Sequence, residues 1–349
     1  MTMDLVPPLS RLPYPLVAED AAPEIPAFAI EGLSVSVPGR EGRIDLVHDV
    51  SLSVNRGECH AIVGESGCGK TVTCLAALGL LPREATVTGS VRLGGTEILG
   101  DRQSRLDTVR GSRIGMIFQD PQGALNPVRT IGRQLIETLR RHFPMNTAQA
   151  RERACELLSM VGISAPQSRL DAYPHQLSGG TCQRVMIAMA LASEPEVLIA
   201  DEPTTALDAT VQLQVLDLLR SIQRQRDLAI VLITHDLGVV AELCDRVTVL
   251  YAGRSVESRR KDQLFTAPRH PYTRALLDCL PSLDPHAPPP AAIAGEVPSP
   301  GRHPAGCAFH PRCLHASAAC AADLPEIENF GASATVRCHH PLRAGARLQ

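Results

Sequence analysis

The chain has 349 residues, 44% of them hydrophobic, which is enough for two or three domains with buried cores. Its 34 basic and 37 acidic residues leave a net charge of −3, which speaks against a nucleic-acid machine, a class that usually carries a basic bias. No apolar run approaches a membrane span and Met1 to Ser10 lacks a basic start, so the expectation is a chain neither secreted nor membrane-spanning, its eleven cysteines kept reduced.

Residues 1–27 are proline-bearing and without periodicity, and are expected to form a loose tail. Phe28 to Val37 alternates apolar and polar residues as a half-buried strand does, and Val47 to Val54 and Ser90 to Leu93 read the same way. Between them, Cys59 to Val63 is a short apolar run. It feeds Gly64-Glu65-Ser66-Gly67-Cys68-Gly69, then Lys70-Thr71, and Val72 to Leu80 read as the first turns of a helix. Strand, glycine-rich loop and helix in that order are the context in which the G-x-x-x-x-G-K-[ST] pattern binds phosphate. The glycines let backbone N–H groups turn inward round an anion, and the helix start adds partial positive charge. Lys70 is placed for the β- and γ-phosphates and the Thr71 hydroxyl for Mg2+. A nucleoside triphosphate is the expected ligand.

Arg113 to Phe118 is a further buried-strand candidate ending at Gln119. From about Ile131 to Ala192 the pattern turns helical, with Arg151 to Val161 clearly amphipathic. Val197 to Ala200, Leu228 to Ile233 and Val247 to Tyr251 are short apolar runs of the kind found in a sheet covered on both faces. A helical insertion in a parallel-sheet nucleotide domain is therefore expected. The Val197 strand ends in Asp201-Glu202, adjacent carboxylates that point different ways. Asp201 is read as supporting the metal and Glu202 as polarising the water that attacks the γ-phosphate. Leu177-Ser178-Gly179-Gly180 precedes an apolar helix read over Gln183 to Ser193. Ser178 suits an N-cap, and a glycine-flanked helix start is also an anion receptor. The chain then holds two half-sites, which two copies arranged head to tail would complete.

Together these residues resemble the nucleotide-binding subunit of an ABC transporter, over residues 28–258. Gly64 to Thr71 matches Walker A, Val197 to Glu202 Walker B, and Leu177 to Gly180 with Gln183-Arg184 the signature motif. The resemblance implies an α/β P-loop NTPase with a RecA-like core, an antiparallel β subdomain, a helical subdomain and a Cys-rich C-terminal extension. The implied division is a tail at 1–27, a nucleotide-binding domain at 28–265 with its helical part at about 125–192, and the extension at 266–349. It also implies that Gln119 touches the metal and reports to the membrane subunits, that Ala206-Leu207-Asp208 is the D-loop, and that His235 contacts the γ-phosphate. The family's aromatic platform for adenine falls near Val37. Residues 35–54 contain no Phe, Tyr or Trp, so low base selectivity is expected. The rival reading is a soluble ABC ATPase acting on nucleic acid or ribosomes. Such chains tend to carry a second phosphate loop or a long coiled-coil insertion, and this sequence has neither. A GTPase is disfavoured because no Asn-Lys-x-Asp motif occurs.

Residues 281–304 hold eight prolines, a linker composition. His270 to Leu277 and Gly295 to Pro300, with Gln119-Asp120-Pro121 and Leu125-Asn126-Pro127, resemble oligopeptide and dipeptide importers. That implies ATP hydrolysis driving uptake of peptides or a related small solute, nickel chelates and glutathione being among the group's cargoes. The implied partners are a second ABC ATPase subunit, two transmembrane permease subunits and an extracytoplasmic substrate-binding protein, without nucleic acid. The implied place is peripheral, on the cytoplasmic face of the inner or plasma membrane. Cys307, Cys313, Cys320 and Cys338 fall within 32 residues beside little apolar sequence. Disulfides do not suit a reduced chain. Structural zinc, with His310, His315 or His339 as spare ligands, and an iron–sulfur cluster both stay open on the residues alone, although the Cys-x5-Cys-x6-Cys-x17-Cys spacing has no zinc knuckle. The segment Gly306 to Cys313 resembles the cysteine-rich tail of peptide-importer ATPases. That likeness implies a [4Fe-4S] cluster, stapling a tail too small to fold alone.

Overall fold

The computed structural model describes residues 25–40, 42–100, 103–205, 207–280, 292–331 and 334–343. The expected tail up to residue 24, Ala206 of the expected D-loop and residues 281–291 of the expected linker lie outside the described residues. The strands are β1 (Phe28–Gly39), β2 (Gly42–Val54), β3 (Cys59–Val63), β4 (Thr86–Leu93), β5 (Thr96–Glu97), β6 (Ile114–Ile117), β7 (Val197–Asp201), β8 (Ala229–Thr234), β9 (Arg246–Tyr251), β10 (Arg254–Arg260), β11 (Glu328–Asn329) and β12 (Thr335–Val336). The helices that matter for the site are α1 (Lys70–Ala77), α2 (Ile131–His142), α3 (Thr147–Met160), α4 (Gly179–Ala190), α5 (Ala209–Arg226) and α6 (Pro271–Asp278).

One sheet is antiparallel, in the order β2-β1-β4-β5; the other runs β11-β12-β10-β9-β3-β8-β7-β6. Within the second, β9, β3, β8, β7 and β6 are parallel. All five residues of β3, all five of β7 and all six of β8 are buried. Strands covered on both faces need such continuous apolar runs. Their side chains still alternate. Ala61, Val63, Leu198, Ala200, Ile230 and Leu232 pack toward α2, α3 and α4, whereas Ile62, Ile199, Val231 and Ile233 pack toward α1 and the antiparallel sheet. In register, Val63 lies beside Thr234 and Asp201 beside Ile233. Gly64, Glu202 and His235 therefore leave the sheet at one carboxyl edge, where open α/β sheets place their ligands.

The helical stretch between β6 and β7 forms as expected, and its ends explain where it breaks. Thr130 caps α2 by accepting from Arg133 N–H, and Asn146 caps α3 in a reciprocal pair with Gln149. The apolar helix expected over Gln183 to Ser193 is instead α4, beginning at Gly179 and ending at Ala190. Ser178 accepts from Thr181 N–H, so the two glycines form the first turn rather than a loop before it. Likewise α1 starts at Lys70, not Val72, and stops at Ala77, with Gly79 at φ 60 beyond it. The last strands were not foreseen. Thr335 and Val336 of β12 pair with Ser258 and Glu257 of β10, so C-terminal residues extend the sheet that carries the phosphate loop. Among the described residues, no helix is long and apolar enough to cross a membrane.

Candidate functional site

The loop Gly64 to Gly69 joins β3 to α1. A Cβ on Gly64 would fall 2.3 Å from the Leu250 carbonyl oxygen, so only glycine lets the loop leave the sheet there. Gly69 holds φ 101 at the helix start. Lys70 is buried, and its Nζ donates to the carbonyls of Gly64 (2.7 Å) and Glu65 (2.9 Å), which holds the ammonium inside the curve of the loop. Thr71 Oγ1 donates to Asp201 Oδ1 at 3.1 Å. Burial pushes the Asp201 carboxyl up, and the Thr71 hydrogen bond offsets part of that. A buried carboxylate touching a hydroxyl is a hard-oxygen pair, which fits Mg2+.

Glu202 follows with φ 46, a left-handed conformation for a residue with a side chain, and its N–H donates to the Ile233 carbonyl at 2.9 Å. That turn aims the carboxylate into the cleft. Its Oε2 accepts from Gln119 Nε2 (2.9 Å) and Thr205 Oγ1 (2.8 Å), and its Oε1 lies 3.0 Å from His235 Nδ1. Burial alone would raise this carboxyl. The hydrogen bonds from His235 and Thr205 and the charges of His235 and Lys70 outweigh burial and hold it below the usual carboxylate range. The cleft in front is about 400 Å³, lined by Val63, Gly64, Glu65, Ser66, Gln119, Glu202, His235, Leu237 and Leu276.

The structure thus brings together the loop with Gly67 and Cys68, Lys70, Thr71, Gln119, Asp201, Glu202 and His235. Thr205 was missed. Its only sequence signal is its place in the turn after Asp201-Glu202, where Thr205 N–H donates to the Glu202 carbonyl. Ser178, Gly179 and Gly180 do not line this cleft; Ser178 and Gly179 are exposed and Gly180 is half-buried. Asp208 caps α5 by accepting from Thr210 and Val211 N–H. A Cβ on Gly180 would stand 2.8 Å from Val211 Cγ1, so the starts of α4 and α5 abut on one surface. Val37 pairs across its hairpin with Ile44 and presents no ring.

Cys307, Cys313, Cys320 and Cys338 line one small cavity together with His270, Phe309, His310, His315 and His339. The backbone N–H of His315 donates to Cys313 Sγ (3.4 Å) and that of His340 to Cys338 Sγ (3.3 Å). His310 Nδ1 and His339 Nε2 pair instead with backbone carbonyls, of Cys307 and Asp323. Among the described residues, no three His, Cys, Asp or Glu side chains gather closely enough to hold a metal ion, so the expected [4Fe-4S] cluster is without direct support from that geometry.

A parallel sheet carrying a phosphate loop after β3, with a carboxylate pair at the end of β7, one strand beyond β8, defines a P-loop ATPase. Comparison with known proteins gives the family. The ABC transporter family matches residues 47–205, and the family described as the C-terminal region of oligopeptide/dipeptide transporters matches residues 256–320. A dipeptide transport ATP-binding protein of Escherichia coli K12 is 43% identical over 319 residues, covering 91% of this chain and 98% of that protein. Its Bacillus subtilis 168 namesake is 46% identical over 315 residues, 89% and 93% of the two chains. The dimeric ATP-binding cassette MJ0796, solved in a post-hydrolysis state with ADP and Pi, superposes with a TM-score of 0.61 at 27% identity, covering 67% of this chain and 98% of that one. The chain belongs to the ATP-binding proteins of ABC transporters, in their oligopeptide/dipeptide transporter group, and is an ATPase.

Proposed function

We propose that this chain is the ATP-hydrolysing subunit of an importer for peptides or a related small solute. The observation that carries the proposal is Glu202, an ionised carboxylate facing the phosphate-loop cleft and held by Gln119, Thr205 and His235. Glu202 orients and polarises the attacking water, and His235, in contact with that carboxylate, would meet the γ-phosphate. The loop Gly64 to Thr71 cradles the phosphates, with Lys70 neutralising their charge. Thr71 and Asp201, with Gln119, would hold Mg2+, which when bound supplies charge for the β- and γ-phosphate oxygens. Ser178 to Gly180 and Asp208 complete the nucleotide site of a second ATPase subunit, head to tail. The relatives' dipeptide transport names support the cargo class, and the dimeric cassette supports the paired arrangement. Two permease subunits and an extracytoplasmic binding protein complete the machine, with this subunit on the cytoplasmic face of the membrane. In this reading residues 28–265 form the nucleotide domain, its helical part near 125–192, and 266–349 a docked extension.

In the assembled complex, Glu202→Gln keeps ATP binding and loses turnover by about a hundredfold or more, the size of a lost general base. Wild-type turnover by that variant sinks the assignment.

The extension carries a second element of the proposal, a [4Fe-4S] cluster on Cys307, Cys313, Cys320 and Cys338. Its support is the shared cavity of the four thiols and the N–H donors on Cys313 and Cys338 sulfurs, the kind of bond that ligating thiolates take. Protein purified without oxygen should be brown with about four irons per chain. Colourless protein holding one zinc rejects the cluster.

A further inference from the structure

Arg312 lies in the tight turn His310–Arg312, one residue before Cys313, with 4% of its side chain exposed. Buried arginine needs an acceptor for each of its five N–H groups. Here every one is used. The two terminal nitrogens form a fork on the Glu65 carboxylate, at 2.9 and 3.1 Å. The same nitrogens also reach Tyr251 Oη (3.3 Å) and the Ile293 carbonyl (3.3 Å), while Nε donates to the Ala294 carbonyl at 2.9 Å. Glu65 is the second residue of the phosphate loop and lines its cleft. Its backbone is held too, its N–H donating to Tyr272 Oη at 3.0 Å.

The floor under this contact is built for rigidity. Tyr251, at the end of β9, Tyr272 of α6 and Phe309 are all buried, with ring centroids 4.6 Å (Tyr251–Tyr272), 5.2 Å (Tyr251–Phe309) and 5.2 Å (Tyr272–Phe309) apart and steeply tilted. In a chain with only four Tyr, six Phe and no Trp, three of the rings meet where the cysteine-bearing segment touches the phosphate loop. Lys70 fixes the loop from inside through the Gly64 and Glu65 carbonyls, and Arg312 fixes the same residue, Glu65, from outside.

We infer that Arg312 is a positioning residue of the nucleotide site, through which the cysteine-bearing C-terminal segment sets the phosphate-loop mouth and so the affinity for ATP. By linkage the influence is reciprocal: nucleotide in the loop must steady the turn that carries Arg312 to the same extent. The inference rests on residues 64–71 being the phosphate loop and requires nothing of what the four thiols hold.

The test measures ATP affinity of the full chain by equilibrium titration for Arg312→Ala, Arg312→Lys, Glu65→Gln and the Arg312→Ala/Glu65→Gln pair. Each alanine or glutamine single variant should weaken ATP by about fivefold, the scale of one charge-assisted pair, and the pair should lose no more than either alone. Arg312→Lys should recover part of the loss, since it keeps the charge without the fork. Amide exchange supplies a readout separate from affinity. ATP should slow exchange at residues 309–313 in wild type, and not in Glu65→Gln, whose change leaves the C-terminal segment intact should Arg312→Ala unfold it. Unchanged affinity in Glu65→Gln, additive losses in the pair, or equal ATP-dependent protection in wild type and Glu65→Gln overturns the inference. Wild type that binds no ATP overturns the phosphate-loop reading instead.

Discussion

The loop from Gly64 to Thr71 and the turn from Ser178 to Gly180 both set glycines at a helix start, yet the chain finishes only the first. Around the first, Lys70 is buried, Asp201 is touched by Thr71, and Glu202 has donors from three separate segments. The second has a local cap, from Ser178 to Thr181, and an exposed face beside the Asp208 cap of α5. A helix start of that kind keeps its anion affinity without spending it inside the chain. In the proposed head-to-tail pair, burial and long-range partners mark the half-site a chain keeps, and an exposed, glycine-flanked start the one it would lend.

Acid should weaken the sheet that carries the finished half. His60 sits in β3, the strand that leads into the loop, buried, with Nδ1 2.8 Å from the Ser53 carbonyl and Nε2 2.8 Å from Thr248 Oγ1. Burial first, and Arg246 in addition, lower its pKa to about 4 despite the Ser53 bond. Its folded value is thus below its unfolded one, so the unfolded chain takes the proton first as pH falls. Stability from neutral His60 is fully present above about pH 6.5 and drains away toward pH 4, on the order of 3 kcal/mol in all. Denaturant midpoints at pH 7 and pH 5 should differ by less in His60→Gln than in wild type. Identical slopes with pH in the two proteins would remove His60 from the account.

A smaller effect probes the base end of the same half. With Val37 facing Ile44 and no Phe, Tyr or Trp in residues 35–54, adenine has no aromatic stacking platform near Val37. ATP and GTP affinities of the isolated chain should then differ by less than about tenfold, roughly 1.4 kcal/mol. A larger preference would mean that another segment reads the base.

What was legible in the sequence was what is local. The phosphate loop, the Asp201-Glu202 strand end and the Ser178 cap each declare themselves within eight residues, because strand, turn and cap preferences act over that range. Helix ends moved where glycine was read as loop, at Gly179 and Gly180. The eighteen-residue α5 does not stand out in the sequence, since glutamines and arginines dilute the apolar stripe of Val215, Leu216, Leu219 and Ile222. Two-residue strands such as β12 are too short to show any period, and only their pairing with β10 makes them strands. Arg312 and Glu65 lie 247 positions apart, so no spacing rule could join them.

The central claim is that each chain owns one half of a nucleotide site and lends the other, and one paired measurement tests it. Lys70→Ala and Ser178→Arg are compared for ATP affinity in the isolated chain and for turnover in the assembled transporter. Lys70→Ala should lose affinity in the isolated chain. Ser178→Arg should bind ATP there within about twofold of wild type, under 0.5 kcal/mol, and yet lose at least half of the turnover of the complex. Loss of ATP affinity by isolated Ser178→Arg, or wild-type turnover of its complex, would contradict the claim.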